Sequence, residues 1–307
     1  MADLILHHYP PSPMAEKARL ALGFKGQSWR SVEVPRLPPK PDLLPLTGGY
    51  RRVPVLQAGA DIYCDSQCIL NELERRFPEP SFLPGSSAGV ASAVARWADG
   101  TLFGQAVQII VATAVGTMPE EWIKDRTQLM FGPGRRVEEL LEDLPYLTSQ
   151  LRAQFGWVER CLQRHAFVLG EEPSLADFAL YPIVWVLRAR WDGAAEVFFQ
   201  LDAIEAWEKR VAAIGHGSPS DMESGEAVEA ARAAEPQTPE WGEPHEVQDL
   251  RPGMRVSVCP SGLGGDPQVE GVIRFVSAET IALLHENDRV GTVCVNFPRV
   301  GYRVSPA

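Results

Sequence analysis

The chain has 307 residues, of which 45% are hydrophobic and 22% are charged. This composition is ordinary for a globular protein, and the length favours two or three domains of about 100–200 residues each. The formal net charge of −11 argues against nucleic acid or an anionic membrane as the main partner. No apolar run approaches the ~20 residues needed to span a bilayer, and no signal-peptide core is expected.

The cysteines indicate the redox environment. Their number is odd, and no two of them have the C-x-x-C spacing of a dithiol oxidoreductase. We therefore expect free thiols in a reducing compartment, the cytoplasm, and no metal site. The five residues are Cys64, Cys68, Cys161, Cys259 and Cys294.

The first predicted strand covers residues 3–8, and a pair of prolines ends it. The two histidines in this strand are interpreted as strand or surface residues rather than as ligands. Ser12 then fits the N-cap of a helix, with Pro13 at the first helical position, where its missing amide costs nothing. The Ser12 hydroxyl either caps this helix only or also points at a ligand.

A second strand over residues 29–34 leads into a loop, residues 35–45, that contains five prolines. The next apolar run, residues 53–56, contains Pro54, which cannot donate a hydrogen bond within a sheet. A cis peptide bond after Val53 would accommodate this proline. It would leave the Val53 backbone facing outward, free to pair with an extended, peptide-like ligand.

The chain returns as a strand over residues 61–64, and a helix follows over residues 67–77. Ser66 is the expected N-cap of this helix, whose free amides can hold a carboxylate. Asp65 beside it can hold an ammonium group, or serve only as a favourable charge near the helix N-terminus. This hairpin therefore offers a backbone edge, an anion site and a cation site, which together suit a small zwitterionic peptide.

After a proline-rich linker, helical periodicity replaces the strand patterns. Ser174 and Asp177 form the pattern S-x-x-D before an apolar run, a capping-box variant. We expect this box to nucleate the core of a helical domain and to take no part in chemistry. The predicted helices cover residues 88–113, 120–130, 136–164 with a bend at Pro145, and 201–214.

The C-terminal part begins with a turn-rich break over residues 215–220. A predicted helix follows over residues 222–234, and then a polar linker over residues 236–246. Five short segments with alternating polarity come next and suggest a small SH3-like barrel or sandwich. It would cover the site, extend a dimer interface or bind another protein, and the sequence does not choose among these roles. The predicted strands are 255–258, 269–276, 280–285, 292–296 and 302–304.

Four motifs, in their order and spacing, resemble the glutathione transferases. They are Ser12-Pro13, Arg52 with the Val-Pro-Val-Leu that follows it, Asp65-Ser66, and the run Pro-Ser-Leu-Ala-Asp-Phe that begins at Pro173. The resemblance covers roughly residues 3–214. The expected architecture is a thioredoxin-like α/β domain over residues 1–80, an all-helical bundle domain over 86–214, a helix and linker over 215–247, and the small SH3-like β-barrel over 248–307.

The resemblance assigns Ser12 as the catalytic residue. Its hydroxyl, together with the positive end of the helix dipole, would favour the thiolate form of glutathione and so lower the pKa of the thiol. The thiolate is the nucleophilic form. Tyr9 lies close enough in the sequence to be the alternative donor.

The resemblance also implies a glutathione site. Val53 would pair through its backbone with the cysteinyl unit, and Asp65 with Ser66 would bind the γ-glutamyl end. Arg52 would neutralise a carboxylate. Lys40 is a second candidate for the glycine carboxylate, with a solvated surface charge as the alternative. The implied binding residues are Lys40, Arg52, Val53, Pro54, Asp65 and Ser66.

In transferases of this type the second substrate lies between the helical domain and the residue equivalent to Ser12. Several apolar and aromatic residues are candidates for this pocket, although plain core packing is an alternative for each. They are Phe103, Val107, Met118, Trp122, Phe131, Trp185 and Trp191.

The sequence therefore predicts a cytoplasmic glutathione transferase that uses glutathione as co-substrate and activates its thiol for attack on a small electrophile. One alternative is a glutathione-dependent isomerase, in which the thiol adds and then leaves. Another is a non-catalytic binding or scaffold protein that keeps the fold. The resemblance implies a homodimer, and the C-terminal β domain is a candidate site for a protein partner.

Overall fold

The computed structural model describes residues 3–239, 247–262 and 264–307, so residues 240–246 of the predicted linker lie outside the described residues. Backbone contacts divide the chain into two units. The sheet unit comprises Met1–Ala18, Gly26–Arg76 and Gly217–Ala307. The helical unit comprises Arg19–Lys25 and Phe77–His216.

The strands of the sheet unit share one sheet. Those in its described residues are β1 (Ile5–His8), β2 (Ser28–Glu33), β3 (Val55–Ala58), β4 (Asp61–Cys64), β5 (Ser218–Asp221), β6 (Arg255–Pro260), β7 (Val269–Val276), β8 (Thr280–Asn287), β9 (Gly291–Pro298) and β10 (Tyr302–Pro306). Their order in the sheet is β10-β6-β7-β8-β9-β4-β3-β1-β2-β5.

The helices are numbered in chain order. Those in the described residues are α1 (Pro13–Phe24), α2 (Leu43–Thr47), α3 (Ser66–Arg76), α4 (Ala88–Trp97), α5 (Phe103–Thr113), α6 (Glu120–Phe131), α7 (Val137–Glu142), α8 (Leu144–Leu162), α9 (Leu175–Arg190), α10 (Ala194–Val197), α11 (Asp202–Ala212) and α12 (Ser224–Arg232). A π-helical stretch, Ala98–Leu102, joins α4 to α5.

The first four strands have the thioredoxin-like arrangement that the sequence predicts. Strand β1 pairs in parallel with β2 and antiparallel with β3, and β3 pairs antiparallel with β4. A parallel pair needs a crossover connection, and α1 supplies it between β1 and β2. The turn before β3 and the start of α3 therefore lie side by side at the open end of one short hairpin, where Val55 is opposite Cys64.

The predicted strands of the C-terminal β segment (residues 248–307) are confirmed, and they continue the same sheet. They pair in the order β10-β6-β7-β8-β9, and β9 then pairs in parallel with β4. In this pairing Asp61 lies opposite Cys294, and Tyr63 lies opposite Asn296. The additional β region is therefore present, but its sheet is continuous with the thioredoxin-like strands.

One hydrophobic core serves both parts of this sheet. Apolar side chains of the thioredoxin-like strands and α2 pack with those of the C-terminal β segment and α12. Members that are 1% exposed or less include Leu43, Leu46, Val55, Ile62, Val256, Ile273, Val295 and Phe297. Burial of apolar surface stabilises a fold by about 25 cal/mol per Å². Because its apolar side chains belong to this shared core, the C-terminal β segment is a structural part of the sheet unit.

Asp61 fixes the chain between α12 and β6 to the same sheet. It is buried, and its carboxylate accepts hydrogen bonds from the Gln237 N–H at 2.8 Å, the Thr238 N–H at 3.0 Å and the Thr238 hydroxyl at 2.7 Å. Residues 237 and 238 of the predicted linker are thus bound to the first residue of β4. This polar contact explains why a linker-like sequence follows a defined path here.

Two predictions about secondary structure are wrong. The turn predicted over residues 215–220 contains β5, which pairs in parallel with β2 at the edge of the sheet. All four residues of β5 are exposed, and they include Pro219, so no alternating pattern marks this strand. The helix predicted over residues 136–164 is divided at Asp143 into α7 and α8, with Pro145 in the first turn of α8.

The helical unit contains the predicted capping box at the start of α9. Asp177 is fully buried, and its carboxylate accepts the Ser174 N–H and the Ser174 hydroxyl, each at 2.9 Å. It also accepts the Val168 N–H at 2.9 Å and the Trp207 indole N–H at 2.8 Å. The box therefore joins α9 to its neighbours, as expected for a core element. No helix within residues 3–239, 247–262 and 264–307 is long and apolar enough to cross a membrane.

Candidate functional site

The candidate site lies in the sheet unit around the hairpin of β3 and β4. The Val53–Pro54 peptide bond is cis, as the sequence predicts. The paired registers of β3 begin at Val55, so Val53 lies just outside the strand, and it is only partly buried. Val53 is therefore placed at the entrance of the hairpin rather than within its ladder.

Ser12 lies at the N-terminus of α1 and is 3% exposed. Its Oγ accepts the Ala15 N–H at 3.2 Å, and its carbonyl accepts the Glu16 N–H at 2.9 Å, which is the geometry of an N-cap. Among the described residues, no acceptor is found for the hydroxyl hydrogen of Ser12. Capping uses a lone pair of the oxygen and leaves its hydrogen available to donate, so the two interpretations of Ser12 are compatible.

Asp65, rather than Ser66, is the N-cap of α3. Its Oδ1 accepts the Gln67 N–H at 2.9 Å, and its carbonyl accepts the Ile69 N–H at 3.0 Å. Asp65 has φ 77°, a left-handed conformation that Asp tolerates better than most residues. The prediction that Ser66 caps the helix is wrong, because the carboxylate of the preceding residue reaches the second helical amide first.

Ser66 is the first residue of α3 and is 4% exposed. Its hydroxyl lies 3.9 Å from the Met14 Sδ. A thioether sulfur is a weak acceptor, so this contact takes up little of the hydrogen-bonding capacity of Ser66. Ser66 and Asp65 remain adjacent at a helix N-terminus, where the helix dipole favours negative charge.

A tyrosine of β10 contacts Asp65. The Tyr302 hydroxyl donates to Asp65 Oδ2 at 3.0 Å, and its oxygen lies 3.2 Å from the Tyr50 hydroxyl oxygen. Burial, and then the Asp65 charge, raise the pKa of both phenols well above its usual value. Both tyrosines therefore keep their protons at neutral pH and act as hydrogen-bond donors.

Arg52 is bound by a carboxylate of the C-terminal β segment. Its Nε donates to Asp266 Oδ1 at 2.7 Å, and its Nη2 donates to Asp266 Oδ2. The Asp266 side chain is 4% exposed and that of Arg52 is 27% exposed. The charge that neutralises Arg52 in this structure is therefore supplied by the chain itself, in the bidentate geometry that a ligand carboxylate would adopt.

Lys40 is buried, 3% exposed, which excludes the solvated surface charge that the sequence left as its alternative. Its Nζ donates to the Arg51 carbonyl at 2.8 Å and lies 5.8 Å from the centre of the Tyr9 ring. This ammonium group is thus fixed beside the turn that leads to Val53. Tyr9 itself is adjacent in the chain to the turn before Ser12, where the Ser12 N–H donates to its carbonyl at 3.1 Å.

The two histidines of β1 are strand residues, as interpreted, and both are buried. The Nε2 of His7 lies 2.8 Å from the Gln57 Oε1 on the adjacent strand β3. Burial lowers the pKa of His7 to about 4, although the hydrogen bond to Gln57 acts in the opposite direction. His7 is therefore neutral near pH 7 and belongs to the structure of the sheet.

The candidates for a second-substrate pocket lie in the helical unit and are partly buried. Val107, Met118, Trp122 and Phe131 pack together around a small cluster formed by α5, α6 and α7. Phe103 opens α5, and Trp185 lies within α9. The packing gives four of these side chains a core role, and their assignment to a pocket stays a prediction.

Sequence reasoning did not connect Tyr302, Asp266 or Tyr50 with the glutathione site. The two hydrogen-bonded contacts of the C-terminal β segment span 237 residues from Asp65 to Tyr302 and 214 residues from Arg52 to Asp266. No local pattern marks such contacts.

Comparison with known proteins agrees with the fold. Residues 6–81 match the family model for the glutathione S-transferase N-terminal domain, and residues 120–213 match that for the glutathione S-transferase C-terminal domain. The crystal structure of a GST-like protein from Pseudomonas syringae is 37% identical, with a TM-score of 0.77, and the match covers 100% of both chains. The similarity thus includes the C-terminal β segment.

Two curated proteins are similar over about three-fifths of the chain. A glutathione S-transferase zeta class protein from Euphorbia esula is 28% identical over 195 residues, which are 62% of this chain and 78% of that protein. FtsZ-localized protein A from Caulobacter vibrioides is 29% identical over 187 residues, which are 57% of this chain and 72% of that protein. From the two domain matches and the full-length similarity, the chain belongs to the glutathione S-transferase family.

Proposed function

We propose that this protein is a glutathione transferase that activates the thiol of glutathione for attack on a small electrophilic substrate. The observation that carries the proposal is the Ser12 hydroxyl. It is buried at the N-terminus of α1, its oxygen caps the helix, and its hydrogen has no acceptor among the described residues. A donor in this position suits a ligand that carries negative charge on sulfur.

The proposed chemistry follows from this donor. A hydrogen bond from Ser12 and the positive end of the α1 dipole both favour the thiolate over the thiol, so the thiol pKa falls. The thiolate then forms a bond to an electrophilic carbon. Either a leaving group departs with its bonding electron pair, or an unsaturated bond takes up a proton on the neighbouring atom. In both cases the thiol proton has already passed to solvent.

The proposed binding roles divide between the two chain segments at the open end of the hairpin, where Val55 lies opposite Cys64. Asp65 and Ser66 at the start of α3 are proposed to bind the γ-glutamyl end, and the Val53 backbone before β3 is proposed to pair with the cysteinyl unit. The Lys40 ammonium group, held by the Arg51 carbonyl, is proposed to bind the glycine carboxylate. Arg52 already holds Asp266, so we propose that it fixes the turn next to Val53.

A glutathione-dependent isomerase would use the same thiolate, so only substrate tests separate the two enzymes. A scaffold role is the second candidate. It is favoured by the similarity to FtsZ-localized protein A. That protein is 29% identical to this chain, and the zeta class transferase is 28% identical. That name describes localisation with FtsZ rather than a reaction. A purified protein that binds no glutathione would support this candidate.

The proposed setting is a homodimer in the cytoplasm with a small-molecule electrophile as partner. All five cysteines lie in the described residues and are free thiols, which suits a reducing compartment. The homodimer is proposed because members of the family commonly form dimers. The C-terminal β segment pairs with β4, the second strand of the hairpin. Analytical ultracentrifugation of the full chain would test the oligomeric state.

The test of the proposed function begins with a calorimetric titration of the purified protein with glutathione. Ultraviolet absorbance of the bound thiolate against pH then gives the pKa of the bound thiol. We expect saturable binding and a thiol pKa below that of free glutathione. Ser12→Ala is expected to keep the glutathione Kd within about threefold while raising the pKa of the bound thiol and lowering turnover with model electrophiles. An unchanged thiol pKa in Ser12→Ala would transfer the donor role to Tyr9.

A further inference from the structure

The contact between Tyr302 and Asp65 has a chemical consequence for the candidate site. Tyr302 lies on β10, outside the regions that match the two family models, yet its hydroxyl reaches a residue proposed to bind the γ-glutamyl end. The ring is held by packing against Phe297, with ring centres 5.7 Å apart. The hydroxyl is therefore presented to Asp65 from a fixed position on the sheet.

The hydrogen bonding of Asp65 leaves room for a ligand. An ionised carboxylate has about four lone-pair positions. In the described residues Asp65 accepts two hydrogen bonds, one on Oδ1 from the Gln67 N–H and one on Oδ2 from Tyr302. Each oxygen is thus held by one donor, and each retains capacity for an ammonium group.

The tyrosine pair determines the direction of the hydrogen bonds. Tyr302 has one hydroxyl hydrogen, and a bond to a carboxylate is about twice as strong as one to a neutral oxygen. The Tyr302 hydrogen therefore goes to Asp65, and the Tyr50 hydroxyl donates to the Tyr302 oxygen over 3.2 Å. This chain of donors holds the carboxylate without neutralising its charge, because both phenols keep their protons.

We propose that Tyr302 is a positioning residue of the glutathione site, which orients the Asp65 carboxylate to receive the γ-glutamyl ammonium group. The inference rests on the proposed function, because it requires glutathione as ligand. It gives the C-terminal β segment a part in ligand binding, whereas the sequence did not choose among three possible roles for it. Asp266, which holds Arg52 from the same segment, is a second contact of this kind.

The experiment measures the glutathione Kd by calorimetry for the full-length wild type and three variants. Tyr302→Phe keeps the ring and removes the hydroxyl. Asp65→Asn removes the charge, and the double variant closes a thermodynamic cycle. Tyr63→Phe is the matched control, because Tyr63 is another buried tyrosine of this sheet, on β4. Its hydroxyl lies 3.2 Å from the Arg76 Nη2, and within the described part of the chain it has no hydrogen bond to a proposed site residue.

We expect Tyr302→Phe to raise the glutathione Kd about fivefold, and Tyr63→Phe to leave it unchanged. In the Asp65→Asn background, Tyr302→Phe should have no further effect, because the hydroxyl acts through the carboxylate. A purely structural tyrosine would weaken binding equally in both backgrounds, and that result would overturn the inference. Unchanged or tighter binding in Tyr302→Phe would overturn it as well.

Failure of the proposed function is recognised separately. It appears in the wild type alone, as no saturable binding of glutathione, and the inference then fails with it. Failure of the inference alone appears as normal wild-type binding together with an absent coupling between the two substitutions. Circular dichroism of each variant confirms that the compared proteins are folded.

Discussion

Two aspartates lie at helix N-termini, one in each unit of the molecule. Their carboxylates accept different numbers of hydrogen bonds. Asp177 of α9 accepts four hydrogen bonds at 2.8–2.9 Å and is fully buried. Asp65 of α3 accepts two among the described residues, from Gln67 and Tyr302. The first carboxylate has filled its lone-pair positions within the fold, and the second has not.

This difference separates a residue that holds the fold from one that is available to a ligand. Burial raises the pKa of Asp177, although all four hydrogen bonds act in the opposite direction. A group with this environment has no position left for a substrate. Each residue is an acidic side chain near the start of a helix, and in the structure the number of hydrogen bonds that each carboxylate accepts distinguishes them.

Arg52 belongs with Asp177 in this comparison, although its place in the sequence suggests a ligand-binding residue. Its guanidinium group is bound bidentately by Asp266, whose side chain is nearly fully buried. A buried ion pair of this kind is strongly disrupted when one partner is removed, because the other is left without compensation. The comparison therefore predicts a structural effect at Arg52 and a binding effect at Asp65.

The largest effect is expected for Asp177→Asn. The side-chain NH₂ of Asn is a donor, and it would replace a carboxylate oxygen that now accepts two hydrogen bonds. About two hydrogen bonds are therefore lost, and buried N–H groups remain unsatisfied. We expect the free energy of unfolding to fall by about 4 kcal/mol. Urea denaturation measures the change, and glutathione binding by the folded fraction should be unaltered.

The control for this variant is Asp202→Asn, in the exposed first turn of α11. Its effect on the free energy of unfolding should stay within about 0.5 kcal/mol. If Asp177→Asn lowers the free energy of unfolding by less than about 1 kcal/mol, a full set of accepted hydrogen bonds does not identify a structural carboxylate in this protein. The comparison between the two aspartates would then lose its basis.

The sequence predicted what local patterns encode. The strands and helices of the thioredoxin-like part, the cis bond before Pro54 and the capping box at Ser174 depend on neighbouring residues, and the structure contains them. The strands of the C-terminal β segment were also found, from alternation alone. Their partner was not found, because any strand with an apolar face satisfies the pattern that pairs β9 with β4.

The candidate site was predictable to the extent that its residues lie in one hairpin. Ser12, Val53 and Asp65 could be identified from motifs. The state of the Asp65 and Arg52 side chains depends on contacts with residues more than 200 positions away, Tyr302 and Asp266. These contacts determine which charges are already compensated, and no periodicity or spacing in the sequence reports them.

A second, smaller effect is expected for Asp266→Ala. It removes the carboxylate that Arg52 binds in a bidentate geometry, so the free energy of unfolding should fall by about 3 kcal/mol. Replacement of both partners by apolar residues, Arg52→Met with Asp266→Leu, should recover most of this loss, because no charge remains uncompensated. Urea denaturation of the single and double variants measures both values.

The double variant also tests the comparison at the level of binding. If the Arg52 guanidinium only fixes the turn, the glutathione Kd of the double variant should stay within about threefold of the wild type. A rise of tenfold or more would mean that Arg52 exchanges Asp266 for a ligand carboxylate. Arg52 would then belong with Asp65 rather than with Asp177.

The smallest effect on stability, and the sharpest on binding, is expected for Asp65→Asn. Asn is as good an N-cap as Asp and also tolerates positive φ, so the free energy of unfolding should change by less than about 1 kcal/mol. The substitution removes the charge that faces the γ-glutamyl ammonium group. Hydrogen bonds to charged groups contribute about 1.5–3 kcal/mol, so the glutathione Kd should rise at least about tenfold.

The two aspartate-to-asparagine variants thus make opposite predictions, which one pair of measurements compares. Asp177→Asn should lose stability and keep its glutathione Kd, and Asp65→Asn should keep stability and lose affinity. Calorimetry and urea denaturation on both proteins give the four values. Equal losses of stability in the two variants would mean that the Asp65 carboxylate contributes as much to folding as that of Asp177. Asp65 would then be a second structural cap.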